Sequence, residues 1–172
     1  VGPVKDGVFW EKAAQVSRAY CESAAHPVTG LAPEYGNFDG TPWSADWRPQ
    51  SETFSYDAWR TSMNWSVDWH WWKKDLGATE RSNRLLSFFK SQGPQKYVNQ
   101  YTLDGQKRAD NLSVGLIACN ATAALAADLE CRLEFVQDLW DAEIPRGEYR
   151  YYDSMLMMMA LLHCADEFKV YI

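Results

Sequence analysis

The chain has 172 residues, of which 47% are hydrophobic and 23% are charged, a composition typical of one globular domain with a real core. Its net charge of -6, without a run of Lys or Arg, argues against nucleic-acid binding, because phosphate neutralisation supplies most of that affinity. No run of 18 apolar residues is present, so the sequence predicts no membrane-spanning helix. A neutral ligand suits this composition better than a polyanion or a lipid.

Helical periodicity dominates the sequence, and no segment alternates with the period of two that is typical of a strand. We predict an all-α fold of six helices in three consecutive pairs. The predicted helices cover about residues 8–25, 55–72, 79–92, 113–127, 130–141 and 150–167.

Between the first two helices lies a long segment, residues 26–53, that is rich in Pro and Gly and has no helical period. A loop of this length inside a compact domain is usually either functional or disordered. Its aromatic and acidic residues favour an ordered loop. These residues are Glu34, Tyr35, Phe38, Asp39, Trp43 and Trp47.

The second helix carries a polar stripe, which we define as Asp57, Arg60, Asn64 and Asp68. At about 100° per residue these four positions share one side of the helix, and Trp and Met residues occupy the other sides. One interpretation is a buried helix that presents polar groups to a cavity; an ordinary solvated stripe with an Asp57–Arg60 ion pair is the other. At the start of a helix, the dipole and Arg60 would both favour a negative charge on Asp57, as a general base requires.

Two later helices differ from ordinary surface helices. The fourth is rich in Ala, and small residues allow helices to approach closely, as in an inner layer. The sixth contains the run from Met155 to Leu162, which is apolar nearly all round, and we expect it to be buried on all sides.

The segment Tyr56-Asp57-Ala58-Trp59-Arg60 resembles the Tyr-Asp-Ala-x-Arg signature of glycoside hydrolase family 8. Further segments resemble blocks of the oligoxylan-degrading members of that family, in the same order and from about residue 27 onward. These segments are residues 30–35, 39–42, 97–105, 114–121 and 149–153.

This resemblance implies an (α/α)6 barrel of alternating inner and outer helices, of which six helices are half. It also implies inverting hydrolysis of xylan or xylo-oligosaccharides, with Asp57 as the general base and the neighbouring Tyr56 and Arg60 shaping the site. Tyr149, Tyr151 and Tyr152 are implied as sugar contacts.

The resemblance places the general acid, a Glu, in an N-terminal half of the barrel that this chain lacks. Neither Glu34 nor Glu52 sits in the acid's motif. We therefore expect residues 1–172 to be the C-terminal part of one catalytic domain and the N-terminal half of the same barrel to be its partner. Alone, the chain would expose the apolar sides of inner helices, and we expect it to self-associate.

One departure affects the mode of action. The exo-acting relatives have a His-Pro loop before the fourth helix, which closes the cleft beyond one sugar, whereas this chain has Asn111-Leu112-Ser113. Endo action on xylan is therefore open beside exo action. A family 8 endoglucanase or chitosanase, or a non-catalytic sugar-binding fragment, are the alternatives.

No metal or organic cofactor is predicted. The four Cys residues are far apart and show no CxxC pattern, and the three His residues converge on no motif. The first residues contain no signal-peptide pattern, so a cytoplasmic and a secreted location both remain open.

Overall fold

A computed structural model describes residues 6–93 and 95–170 and contains six α-helices in that range. They are α1 (Gly7–Ala24), α2 (Tyr56–Trp72), α3 (Ala78–Ser91), α4 (Val114–Ala123), α5 (Arg132–Asp141) and α6 (Arg150–Cys164). The predicted all-α class is confirmed. The main difference is at the end of α4. The sequence predicts a helix to residue 127, whereas α4 ends at Ala123 and a turn follows at residues 124–126.

Helix α4 is the centre of the chain. It packs against α2, α5 and α6, and all its residues from Gly115 to Ala123 are buried. The small side chains of α4 allow this close approach, as the sequence predicted. Helices α2, α4 and α6 form an inner layer, and α3 and α5 lie outside it.

The N-terminal ends of the three inner helices lie together. The Tyr152 hydroxyl of α6 donates a 2.8 Å hydrogen bond to the carbonyl oxygen of Tyr56 in α2. Asp153, also in α6, lies against Gly115, the second residue of α4; a Cβ atom on Gly115 would stand 2.6 Å from its carboxylate oxygen. These contacts bring three helix starts to one end of the molecule, where the helix dipoles favour negative charge.

The expectation that α6 is buried on all sides is wrong. Leu156, Met157 and Ala160 are buried against the core, but Met155 and Met158 on other sides of the helix are substantially exposed. The reason is that α6 is the last inner helix of the chain. Within the described residues, its neighbours α4 and α5 cover only part of its circumference.

The long loop between α1 and α2 is ordered by its own hydrogen bonds and by contacts with α3. Short antiparallel bridges join Gly36 to Pro42 and Ala45 to Arg48. Gly30 has a φ of 71° and lies so close to α3 that a Cβ atom would stand 2.6 Å from the Leu85 nitrogen. A further bridge pairs Phe54, at the end of this loop, with Tyr101 in the loop before α4.

Ion pairs of a buried arginine join α1 to α3. Arg81 of α3 is fully buried and binds both Asp75 and Glu22, the latter in α1 at 2.5 Å. Removing one partner of such a buried network leaves an uncompensated charge, so these residues fix the position of α1 against α3. None of the described helices has both the length and the apolarity that crossing a membrane requires.

Candidate active site

A cleft of about 590 Å³ opens where the inner helices begin. Its walls come from the starts of α2 and α6 and from the loops that precede α4 and α6. The lining residues are Tyr56, Asp57, Trp59, Asn99, Asn111, Ser113, Arg146, Glu148, Tyr149, Tyr152 and Asp153. Of the site residues predicted from sequence, Tyr56, Asp57, Tyr149 and Tyr152 lie in this lining.

Asp57 is in the first turn of α2, and its carboxylate is half-exposed to the cleft. Arg60, one turn further along, places its Nη2 atom 2.5 Å from Asp57 Oδ1. The guanidinium holds this carboxylate through a charge-assisted hydrogen bond. Since the ion pair uses Oδ1, the other carboxylate oxygen is available to accept a proton.

Arg60 is itself positioned by an aromatic ring. Its guanidinium carbon lies 5.9 Å from the centre of the Tyr152 ring, within the range of a cation–π contact. Arg60 is therefore adjacent to the cleft and holds the Asp57 side chain rather than lining the cleft wall.

Tyr152 connects two inner helices beneath the cleft. Its ring packs 6.2 Å from Trp59, and its hydroxyl donates to the Tyr56 carbonyl oxygen. Burial raises the pKa of Tyr152, so the phenol stays protonated at neutral pH and keeps this hydrogen bond. The Tyr56 hydroxyl, in turn, accepts a 3.0 Å hydrogen bond from Gln100 Nε2.

The cleft wall also contains Asn99, a polar residue that the sequence did not point to, and this residue binds Ser113 of the loop before α4. Asn99 is fully buried; its side chain donates to Ser113 Oγ and accepts from the Ser113 backbone N–H, both at 2.8 Å. The Asn99 carbonyl oxygen accepts a 3.1 Å hydrogen bond from Trp59 Nε1. Asn99 lies in a segment that carried the family resemblance, residues 97–105, which was its only signal in the sequence.

Besides Asp57, the cleft lining contains the carboxylates of Glu148 and Asp153, and neither was predicted as a site residue. Burial raises the pKa of Asp153, and the Gly115 backbone N–H offsets this by a smaller amount. Its place one residue after Tyr152 was visible in the sequence, but its contact with α4 depends on how the helices pack.

Two of the predicted sugar contacts, Tyr149 and Tyr151, line different surfaces. Tyr149 is exposed at the edge of the cleft. Tyr151 is equally exposed but lines a neighbouring groove together with Met155 and Met158. The structure does not bring Tyr151 into the cleft with Asp57.

The polar stripe on α2 divides into two parts. Asp57 and Arg60 pair at the cleft, whereas Asp68 accepts two 2.7 Å hydrogen bonds from Arg18 of α1. The interpretation that the whole stripe faces a cavity is therefore wrong for Asp68. The stripe therefore faces the cleft at the start of α2 and contacts α1 near the end of α2.

Glu34 is engaged in the structure of the long loop. Its side chain is almost completely buried, accepting 2.6 Å from Ser55 Oγ and 2.8 Å from Arg48 Nη2. In residues 6–93 and 95–170, no group of three or more His, Cys, Asp or Glu is arranged to hold a metal ion.

The chain is similar to known proteins over nearly all of its length. The sequence pattern of the family described as glycosyl hydrolases family 8 matches residues 5–166. Over 169 residues the chain is 39% identical to a reducing-end xylose-releasing exo-oligoxylanase, Rex8A, from Paenibacillus barcinonensis. That match covers 97% of this chain and 44% of the relative.

Two solved structures from Teredinibacter turnerae are similar throughout the chain. One is a family 8 protein in complex with xylobiose, at 56% identity and a TM-score of 0.94. The other is a catalytic mutant of a xylanase in complex with xylohexaose, at 55% identity and a TM-score of 0.94. Each match covers 98% of this chain and 43% of the other, so the chain spans less than half the length of these relatives. The six helices therefore correspond to about half of an (α/α)6 barrel, which confirms the predicted fold.

Proposed function

The chain belongs to glycoside hydrolase family 8, and on that premise we propose that it hydrolyses β-1,4-xylosidic bonds with inversion, using Asp57 as the general base. In this proposal residues 1–172 are the C-terminal part of one catalytic domain. The N-terminal half of the same barrel is the partner that completes the cleft and supplies the general-acid Glu.

The observation that carries the proposal is the ion pair at the opening of α2. Asp57 is half-exposed in the cleft, and Arg60 binds only one of its carboxylate oxygens. A carboxylate in a solvated cleft, held through one oxygen while the ion pair leaves the other unused, is suited to removing a proton from water.

The chemistry requires two carboxyl groups on opposite sides of the scissile bond. Water attacks the anomeric carbon while Asp57 takes its proton, and the general acid protonates the leaving oxygen as the glycosidic bond breaks. Room for that water requires the two carboxyl groups to stand roughly 6.5–9.5 Å apart. In this proposal Asp57 supplies one of the two carboxyl groups, and the required separation limits where the general acid of the N-terminal half can lie.

Xylo-oligosaccharides are supported as substrates by the relatives. The solved structures at 55% and 56% identity are complexes with xylohexaose and xylobiose. The cleft offers aromatic side chains for sugar rings, among them Tyr149 and Tyr152, and polar side chains for hydroxyl groups. Tyr56 and Arg60 stay proposed as residues that shape the site, and Tyr151 as a sugar contact.

We favour endo action because of the loop before α4. Asn111 is exposed in the cleft lining, and Ser113 is turned towards Asn99 by two hydrogen bonds. Neither residue carries the bulk of a His-Pro pair, so this side of the cleft stays open to further sugar units. Digestion of xylohexaose should give internal cleavage products early; xylose and xylopentaose as the sole first products would contradict endo action.

The role of Asp57 is tested by replacing it with Asn in the full-length natural protein. Loss of a general base costs about 10²–10⁴-fold in kcat, and we expect Asp57→Asn to lose activity on xylotriose within that range. The matched control is Asp68→Asn, which makes the same chemical change on the same helix but at the contact with Arg18. Equal activity losses in both variants, at a temperature where both are folded, would reject Asp57 as the base.

A further inference from the structure

Three aromatic residues of the long loop form a cluster outside the cleft. The Tyr35 ring lies 6.3 Å from Trp43, with the two planes inclined by 26°, and 5.3 Å from Trp47. Both indoles are open to solvent, with Trp43 46% exposed and Trp47 72% exposed. We call this cluster, Tyr35 with Trp43 and Trp47, the aromatic platform.

The loop backbone holds the aromatic platform in place. The Trp43 N–H donates to the Tyr35 carbonyl oxygen at 3.0 Å, and the bridge between Gly36 and Pro42 closes the turn between them. Ser51 is fully buried; its hydroxyl donates to the Trp43 carbonyl oxygen and accepts from the Ala45 N–H. Rings that are fixed before binding lose little conformational entropy when a ligand arrives.

A chain of polar contacts joins the aromatic platform to the active site. Arg48, next to Trp47, binds Glu34, and Glu34 accepts from Ser55, the residue before α2. Ser55 is two residues before Asp57, so these contacts connect the platform loop to the start of α2. None of the three platform residues lines the cleft itself.

We propose that the aromatic platform is a separate binding site for a neutral polysaccharide, holding a xylan chain at a point beyond the cleft; this rests on the proposed function. Xylan fits because a pyranose ring presents a flat apolar face to an indole, while its hydroxyl groups remain in water. The contacts of Arg48 with Glu34 and of Glu34 with Ser55 join the platform loop to the start of α2, where Asp57 lies. Xylobiose or xylotriose bound in the cleft does not need a contact with the aromatic platform.

The test uses the full-length natural protein and two alanine variants, Trp43→Ala and Trp47→Ala. Retardation in gels that contain soluble xylan measures binding without requiring hydrolysis, and steady-state rates on xylotriose measure the cleft alone. We expect each variant to weaken xylan binding roughly threefold to tenfold, the range for losing one aromatic contact, with the xylotriose rate unchanged.

Trp72→Ala is the matched control. Trp72 is 44% exposed, close to the value for Trp43, but it ends α2 about 22 Å along the helix from Asp57. Its loss should change neither xylan binding nor the xylotriose rate. Unchanged retardation of the Trp43→Ala and Trp47→Ala variants, or no retardation of the wild type, would overturn the platform.

A structural role for the indoles gives a different pattern. If they pack against the N-terminal half of the barrel, the alanine variants lose thermal stability and xylotriose activity together with xylan binding, which also overturns the proposal. Trp47→Phe keeps a flat ring and should retain more xylan binding than Trp47→Ala at equal thermal stability. Absence of hydrolysis by the wild type with normal retardation would reject the proposed enzyme activity and leave the platform supported.

Discussion

At the scale of single residues, Tyr152 shows how one side chain serves both the fold and the site. Its ring supports Arg60, and its hydroxyl joins α6 to the first residue of α2. The family resemblance drew attention to Tyr152 as a sugar contact. It could not show the hydrogen bond to Tyr56, because that bond joins residues that are distant in sequence.

Tyr152→Phe removes this bond and keeps the ring. We expect the free energy of unfolding to fall by about 1 kcal/mol, the usual net value of one hydrogen bond, with the Tyr56 carbonyl oxygen left without this partner. Denaturant unfolding measures the change. Tyr151→Phe is the control because the Tyr151 side chain is largely exposed; an equal loss of stability in both variants would contradict the account.

Asp153 gives a prediction about pH, because burial raises its pKa. A carboxyl group whose pKa is higher in the folded state binds its proton more tightly there than in the unfolded state. The free energy of unfolding therefore falls as pH rises from the ordinary aspartate pKa, about 4, through the folded-state value. Asp153→Asn cannot ionise. The stability of this variant relative to the wild type should therefore increase over that interval and then become constant.

Denaturant unfolding of the wild type and Asp153→Asn at a series of pH values tests this prediction. A fixed difference at all pH values would show that Asp153 has the same pKa in the folded and unfolded states. A difference that falls with rising pH would show that the ionised form is stabilised in the fold, against the account.

At the scale of helices, α4 is positioned by the absence of a side chain at Gly115. A Cβ atom there would stand 2.6 Å from Asp153 Oδ1 and 3.1 Å from both Leu156 and Trp59. Gly115→Ala would force α4 and α6 apart at the cleft, and we expect a loss of about 1–3 kcal/mol in the free energy of unfolding.

Gly7→Ala is a suitable control for Gly115→Ala. Gly7 also begins a helix, but nothing lies within 4 Å of its Cβ position. Because Ala has the higher helix propensity, this variant should be as stable as the wild type or slightly more stable. Thermal unfolding of the two variants compares them directly; a Gly115→Ala protein with unchanged stability would show that α4 is not held at this contact.

The helices could be predicted from sequence because their periodicity is local. The Ala-rich α4 was also identified as an inner helix from its composition. The sequence could not show that α6 is only partly covered, since its apolar run looks the same whether one or several helices pack against it. Nor could it show that Asp68 turns away from the cleft, because Arg18 lies 50 residues earlier.

At the scale of the whole molecule, the chain exposes apolar surface on its first and last helices. Phe9 and Trp10 on α1 are more than half exposed, and Met155 and Met158 on α6 are partly exposed. Exposed apolar patches of this kind usually mark interaction surfaces. The N-terminal half of the barrel is the partner that we propose for the α6 side.

A polypeptide of residues 1–172 produced alone should therefore self-associate, as light scattering would show. Met158→Gln, which makes one exposed position on α6 polar, should lower the apparent mass if this side of α6 drives the association. A stable monomer of the unmodified 172-residue polypeptide would contradict this prediction.

The site as a whole could be predicted only in part. Tyr56, Asp57 and Arg60 are adjacent in one motif, so their proximity follows from one helix. Asn99 and Asp153 join them through loops and helix packing that no local pattern encodes. The general acid lies outside this chain in our proposal, so its position must be measured on the longer protein.

The central claim is inverting hydrolysis with Asp57 as the base, and proton NMR of xylotriose during digestion tests it most directly. The measurement uses the full-length natural protein and its Asp57→Asn variant. The account predicts that the α-anomer appears first at the newly formed reducing end and that the Asp57→Asn variant produces almost none. First appearance of the β-anomer, or undiminished hydrolysis by the variant, would contradict it.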